Sequence, residues 1–162
     1  MSTDWWWGAV TPDAAMDQHF LVAPDKIDAI VDAAGVAAGD RVLELGAGVG
    51  TVAAALPEGA ALTLVDADPM LAAVLERRFP GADVRCADAL RVTDACDVLL
   101  VNLPGFLSGR LLAGLADRRF RTAVLALPDD VEPDGGERLG VLEPADFRPA
   151  AEEPSTLWVL RR

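Results

Sequence analysis

A glycine-rich turn directly after an apolar run is the feature that most restricts the fold of this chain. Val42-Leu43 leads into Glu44-Leu45-Gly46-Ala47-Gly48-Val49-Gly50, and Asp66 ends a second apolar run twenty residues after Gly46. Glycines between a strand and a helix let a ligand approach the backbone, and an acid ending the next strand can accept hydrogen bonds from both ribose hydroxyls. The pattern predicts a parallel α/β sheet that binds an adenosine-containing cofactor.

The spacing of the glycines indicates which cofactor this is. A dinucleotide fingerprint requires G-x-G-x-x-G, but Thr51 occupies the place of its third glycine. The run instead reads E-x-G-x-G-x-G, which resembles the first motif of class I methyltransferases that use S-adenosylmethionine. The alternative is a turn without a ligand, and Asp66 argues against it because such a turn needs no acid at that offset.

Length and composition predict a single globular unit. The 162 residues are 52% hydrophobic and 25% charged, enough for one core and too few for two domains. We expect an N-terminal arm over residues 1–23 and a methyltransferase domain over residues 24–162. No apolar stretch is long enough to span a bilayer, and the start of the chain lacks the basic segment of a signal peptide, so a cytoplasmic location is expected.

The few cysteines and histidines predict no metal site. Cys86 and Cys96 have neither metal-ligand spacing nor the pattern of a disulfide framework, and His19 has no cluster of partners. Free thiols are the expectation.

The strongly acidic balance restricts the substrate. Lys and Arg total 14 against 26 Asp and Glu, a net charge of −12. Binding to a phosphate backbone depends on Lys and Arg, so an acidic surface repels RNA at ordinary salt. Either the substrate is not a nucleic acid, or the protein works in concentrated salt, which screens surface charge to within about 3 Å at 1 M.

Apolar periods alternate between helical and strand patterns, as is typical of a sheet covered on both faces. Helices are predicted over residues 24–34, 51–56, 69–79 and 107–115. Strands are predicted over 41–45, 62–65, 83–86, 97–101, 121–127, 139–142 and 156–160, with a loop over 128–136. The expected fold is α/β, a Rossmann-like and mostly parallel seven-stranded sheet with an antiparallel C-terminal edge.

Two further polar positions follow predicted strands, where such sheets bind ligands. The Asp88 carboxylate could accept a hydrogen bond from an adenine amino group beside the Ala89 backbone, although a lone loop aspartate is commonly only a turn former. Asn102-Leu103-Pro104 could present the Asn102 side-chain oxygen and the Leu103 carbonyl to the two N–H groups of an amine. The lone pair of that amine would then point at a methyl donor, and catalysis would come from orientation and preorganisation. The alternative is a simple N-x-P turn.

Taken together, these segments resemble one family. Gln18-His19-Phe20-Leu21, Val42 to Gly48, Asp66, Asp88-Ala89, Asn102-Leu103-Pro104 and Phe147-Arg148-Pro149 look like the successive motifs of the rRNA adenine N6-dimethyltransferases, which include the erythromycin-resistance methylases. The resemblance implies that S-adenosylmethionine is the cofactor and that Phe147 stacks on a flipped-out base. The implied cofactor-binding residues are Gln18, His19, Leu21, Glu44, Gly46, Ala47, Gly48, Asp66, Ala67, Asp88, Ala89 and Asn102, and the catalytic residues are Asn102, Leu103 and Pro104.

Three departures affect what the resemblance implies about the substrate. The family has an aromatic residue after N-L-P, whereas this chain has Gly105, so that Phe106 is the candidate for stacking on the acceptor. The segment before Phe147 is shorter than expected, and the family's helical C-terminal domain is expected to be missing. Each departure removes contact with RNA and leaves the cofactor pocket intact.

The leading hypothesis is therefore an S-adenosylmethionine-dependent N-methyltransferase, most similar to enzymes that act on adenine in RNA. An amine of a small molecule or peptide is the rival acceptor, and a cofactor-binding protein or subunit without catalysis is the third reading. Trp5-Trp6-Trp7 could form a lid over the cofactor, a stacking platform, or a contact with the core or a partner copy. The chain is expected to be a monomer or a homodimer.

Overall fold

The computed structural model of the protein describes residues 10–162, so Trp5-Trp6-Trp7 lies outside the described residues. The α-helices in this range are α1 (Pro24–Ala34), α2 (Pro69–Arg78) and α3 (Ser108–Leu115). The strands are β1 (Phe20–Leu21), β2 (Arg41–Leu45), β3 (Ala61–Asp66), β4 (Asp83–Cys86), β5 (Val98–Asn102), β6 (Thr122–Pro128), β7 (Glu137–Leu142), β8 (Phe147–Arg148) and β9 (Ser155–Arg161). None of the helices in the described range is long and apolar enough to cross a membrane.

Seven strands form one sheet in the order β4-β3-β2-β5-β6-β9-β7. The pairs from β4 to β6 are parallel, and β9 runs antiparallel to both β6 and β7. The predicted fold, a mostly parallel sheet with an antiparallel C-terminal edge, is confirmed. The chain moves outward in one direction after β2 and in the other after β5, so these two neighbours form the switch point at which such sheets bind ligands.

Both faces of the sheet are buried. Along β2, Val42 packs with α1 on one face, and Leu43 and Leu45 pack with α3 on the other. This alternation follows from the two-residue period of a strand. Burial on both faces explains why β5 and β6 read as continuous apolar runs.

The helix ends follow from the local sequence. Pro24 and Pro69 stand at first-turn positions, where a missing N–H costs nothing, and the Asp68 side chain accepts the Met70 N–H at 2.8 Å. Gly35 ends α1 in the left-handed conformation with φ +57°.

One local expectation differs from the structure, and one local feature of the structure was not predicted. Residues 51–56 form turns and the short 3-10 segment Ala53–Ala55 instead of a helix, because few residues separate the glycine turn from Pro57. In addition, β1 pairs antiparallel with β8, with Phe20 opposite Arg148 and Leu21 opposite Phe147. Strands of two residues carry no detectable period, so the sequence pattern did not predict this ladder.

Candidate active site

A cleft of about 520 Å³ lies at the carboxyl ends of β2, β3 and β5. This volume falls within the range of about 300–1,000 Å³ that is usual for small-molecule and cofactor sites. Every candidate residue from the sequence lines the cleft, namely Gln18, His19, Leu21, Glu44, Gly46, Ala47, Gly48, Asp66, Ala67, Asp88, Ala89, Asn102, Leu103, Pro104, Phe106 and Phe147.

The glycine turn brings β2 unusually close to the end of β5. Gly46 has φ +78°, and a Cβ atom there would lie 2.3 Å from the Asn102 carbonyl oxygen. Gly48 has φ +58°, and a Cβ atom there would lie 3.0 Å from the Phe20 ring. These two glycines therefore permit both the left-handed backbone and the close approach of neighbouring groups.

Asp66 supports the glycine turn from the end of β3. Its two oxygens accept the Gly48 N–H and the Asp68 N–H, each at 3.0 Å. Burial is the main reason why the pKa of Asp66 lies above its ordinary value, against the lowering effect of these backbone donors. Because a carboxylate offers about four acceptor positions, it retains capacity for the hydroxyls of a ribose.

Glu44 is a buried acid with an unsatisfied oxygen. The residue is 5% exposed, and its Oε2 atom has no hydrogen-bond partner in the described part of the chain. Burial, together with the neighbouring charge of Asp66, raises the pKa of Glu44 to about 8. A cationic ligand in the cleft would satisfy this oxygen and favour the charged carboxylate. The site thus fits a cofactor that carries an ammonium group.

The titration of Glu44 predicts a pH dependence of stability. The carboxyl titrates near 4.5 when unfolded and near 8 when folded, so between these values the folded state holds a proton that the unfolded state releases. The stabilisation that results from this proton in the ligand-free protein is complete below the unfolded pKa and declines as the pH rises toward 8. Glu44→Gln removes the titration. In thermal unfolding from about pH 5 to about pH 9, the Tm of the variant should rise relative to that of the wild type. A Tm difference that is constant over this range would contradict the assignment.

Gln18 and His19 fasten the N-terminal arm over the cleft. The Gln18 Nε2 atom donates to Asp68 at 2.7 Å, and its Oε1 atom accepts the Asp13 N–H at 2.7 Å. The His19 Nδ1 atom lies 3.1 Å from the Pro149 carbonyl oxygen, and its Nε2 atom lies 3.2 Å from Asp17. The Gln18 amide thus holds the arm in place, and both Gln18 and His19 line the cleft.

Asp88 forms the predicted turn and also lies at the cleft. Its Oδ1 atom accepts the Leu90 N–H at 3.0 Å and so caps the 3-10 turn Ala89–Arg91. The same residue and Ala89 line the cleft. The turn therefore holds one carboxylate oxygen in place while the other is open to a ligand.

Asn102 ends β5, and Asn102, Leu103 and Pro104 all line the cleft. The two candidate aromatic residues differ in accessibility. Phe106 is 75% exposed at the cleft. Phe147 is 8% exposed and packs in the core cluster beneath α1. Phe106 is therefore the better placed of the two to stack on an acceptor.

The charge of the cleft was not apparent from the individual motifs. Among the described residues, its lining contains six carboxylates and no Lys or Arg. Glu44, Asp66 and Asp88 were predicted, whereas Asp17, Glu152 and Glu153 were missed because no motif contains them. The negative net charge of the sequence was the signal that could have indicated an acidic cleft.

Comparisons with known proteins agree with this geometry. The family model of ribosomal RNA adenine dimethylase matches residues 13–88. Ribosomal RNA small subunit methyltransferase A of Gloeobacter violaceus is 37% identical over 142 residues, which cover 77% of this chain and 52% of that protein. The chain is thus similar in sequence to the ribosomal RNA adenine dimethylases over the first part of its length. It spans about half the length of the curated relatives it matches.

Solved structures confirm the class I methyltransferase fold. A dimethyladenosine transferase from Plasmodium falciparum superposes with a TM-score of 0.81 at 22% identity, over 88% of this chain and 63% of that chain. Magnesium protoporphyrin IX methyltransferase from Synechocystis PCC 6803, solved with bound S-adenosylmethionine, has a TM-score of 0.64 at 14% identity over 85% and 78% of the two chains. The cofactor predicted from the sequence agrees with these comparisons.

Proposed function

We propose that this chain binds S-adenosylmethionine and transfers its methyl group to a nitrogen, with the exocyclic amine of adenine in ribosomal RNA as the leading acceptor. The observation that carries the proposal is the convergence of Glu44, Asp66, Asp88 and Asn102 on one cleft beside the glycine turn. The names of the relatives support the acceptor.

Each part of the cleft suits one part of the cofactor. Asp66 would accept hydrogen bonds from the ribose, Asp88 from the adenine amino group, and Glu44 would face the ammonium of the methionine portion. The Gly46-Ala47-Gly48 backbone would lie along the ligand without side-chain obstruction. The cofactor supplies an electrophilic methyl group on a positively charged sulfur, and the protein supplies orientation and electrostatics.

The catalytic task of the chain falls to the end of β5. The Asn102 side-chain oxygen and the Leu103 carbonyl would each accept one N–H of the acceptor amine. Two such acceptors would favour a pyramidal nitrogen, whose lone pair would attack the methyl carbon as the bond from that carbon to sulfur breaks. S-adenosylhomocysteine would leave, and one N–H proton would pass to solvent. Pro104 fixes the direction of the turn, and no general base is needed before the attack.

The N-terminal arm and the acceptor segment complete the site. In this proposal the described part of the N-terminal arm, residues 10–23, caps the cofactor, residues 24–162 form the methyltransferase domain, and Phe106 stacks on the acceptor ring. The β1–β8 ladder joins the arm to the segment that contains Phe147. A cytoplasmic location fits an RNA acceptor.

An amine of a small molecule or peptide is the second candidate acceptor. The observation that favours it is the acidic lining, which within the described residues offers no Lys or Arg to a phosphate. Phosphate contacts normally supply much of the affinity for RNA, and carboxylates weaken it. A cationic amine would instead be attracted by these carboxylates.

Removal of the Asp66 carboxylate tests the cofactor assignment. Asp66→Ala should raise the Kd for S-adenosylmethionine by at least about tenfold, because charge-assisted hydrogen bonds contribute about 1.5–3 kcal/mol. Asp40→Ala is the matched control, since Asp40 pairs with Arg121 and does not line the cleft. Calorimetric titration of both variants measures the effect. An unchanged Kd in Asp66→Ala would refute the assignment.

A further inference from the structure

Arg118 is buried behind the turn that follows β4. Its side chain donates from Nη1 to the Val92 carbonyl at 2.6 Å and from Nη2 to the Ala89 carbonyl at 3.4 Å. The residue is 6% exposed, and none of the described carboxylates forms an ion pair with it. A cation buried in this way is held by backbone carbonyls alone. Its loss would remove the side-chain donor of the Val92 carbonyl and leave the Ala89 carbonyl with only the 3.3 Å hydrogen bond from the Val92 N–H.

The two carbonyls belong to the ends of the 3-10 turn Ala89–Arg91. The Val92 N–H donates to the Ala89 carbonyl at 3.3 Å, and the Leu90 N–H donates to Asp88 at 3.0 Å. The guanidinium therefore spans the same turn that sets the position of the Asp88 carboxylate and the Ala89 N–H.

Arg118 is itself anchored from the end of β9. Arg162 donates to the Arg118 carbonyl at 2.7 Å and to the Leu115 carbonyl at 3.1 Å, and its guanidinium lies 4.2 Å from the centre of the Phe120 ring. These contacts fix the backbone of Arg118 against α3. The 3-10 turn Ala89–Arg91 is therefore connected through Arg118 to the core and is not held by its own hydrogen bonds alone.

We propose that Arg118 is a positioning residue that gives the cleft its selectivity for an adenine ring. The inference rests on the proposed function. Asp88 would accept a hydrogen bond from the adenine amino group while the Ala89 N–H faces the adjacent ring nitrogen. A hypoxanthine ring reverses both requirements, because it carries an oxygen in place of the amino group and a hydrogen on that nitrogen. Discrimination between the two rings depends on the spacing that Arg118 maintains.

The test compares two ligands that differ only in the base. The Kd values of S-adenosylhomocysteine and of its hypoxanthine analogue are measured by calorimetry for the wild type, Arg118→Met and Arg118→Lys. Leu160→Ala is the control for general destabilisation, because Leu160 is buried in the core cluster that contains Leu115 and Phe120 but does not line the cleft.

We expect the wild type to favour the adenine ligand by at least about tenfold, the equivalent of one hydrogen bond of about 1.4 kcal/mol. In Arg118→Met the ratio of the Kd of the hypoxanthine ligand to the Kd of the adenine ligand should fall toward one. In Arg118→Lys this ratio should lie between the values of the wild type and of Arg118→Met. Leu160→Ala should lower Tm and keep the wild-type ratio.

Different results separate this inference from the proposed function. A folded Arg118→Met protein with the wild-type ratio would overturn the role of Arg118 and leave the proposed function standing. If Arg118→Met does not fold, a wild-type ratio in Arg118→Lys would overturn it equally. A wild-type protein that does not bind S-adenosylhomocysteine would overturn the proposed function itself.

Discussion

Replacement of Asn102 by alanine is expected to lower kcat for methyl transfer by about two to three orders of magnitude, the usual effect of removing one preorganised catalytic hydrogen-bonding group. The side-chain oxygen lost in Asn102→Ala is one of two acceptors proposed to orient the amine, and the Leu103 carbonyl alone cannot fix the nitrogen. The Kd of the cofactor should change far less than kcat, because several other groups line the cofactor portion of the cleft. Single-turnover transfer of a labelled methyl group, together with calorimetry, separates these effects.

The matched variant is Asn102→Asp, which keeps the shape and the acceptor oxygens of the side chain. It should retain more activity than Asn102→Ala. If Asn102→Ala has the kcat of the wild type, the proposed mechanism is contradicted, even if the cofactor still binds.

Replacement of Gly46 by alanine is expected to destabilise the fold by about 3 kcal/mol or more, the sum of a left-handed backbone penalty and overpacking. The added methyl group would lie 2.3 Å from the Asn102 carbonyl oxygen, where backbone meets backbone and neither side can move easily. The variant should also lose measurable cofactor binding, because separation of β2 from β5 opens the switch point. Urea unfolding and calorimetry measure the two effects.

Gly35→Ala provides the control for this prediction. Gly35 also has a positive φ, +57°, but nothing lies within 4 Å of its Cβ position. Gly35→Ala should lower the free energy of unfolding by only about 1–2 kcal/mol, the cost of the left-handed backbone conformation. Equal destabilisation by Gly35→Ala and Gly46→Ala would show that the close approach at Gly46 has no energetic role.

The main sheet and the helices could be predicted because local signals agreed with the tertiary structure. The interval from Pro24 to Ala34 has a clear helical period with proline at its start and glycine after its end, and the structure places α1 there. Strand β2 was predicted with the same bounds for a related reason, since its apolar residues lie directly before the glycine turn. Signals of this kind depend on neighbouring residues alone.

Much of the candidate site could also be predicted, because its residues follow strands and parallel strands end at one edge. Features that depend on distant contacts were not predictable. The β1–β8 ladder joins residues more than a hundred positions apart, and nothing near Glu152 or Glu153 marks them as cleft residues. Arg118 has no motif around it, and its role depends on carbonyls 26 and 29 residues away.

The most direct test of the central claim follows the methyl group itself. The protein is incubated with labelled S-adenosylmethionine and, separately, with ribosomal RNA, peptides and small-molecule amines, each at low and at molar salt. Asn102→Ala serves as the background control. The account predicts label in RNA, recovered as N6-methylated adenine, and absent with Asn102→Ala. Label that enters only the peptide or small-molecule fraction at both salts would contradict the RNA acceptor. Cofactor binding without transfer to any fraction would contradict the proposed catalysis.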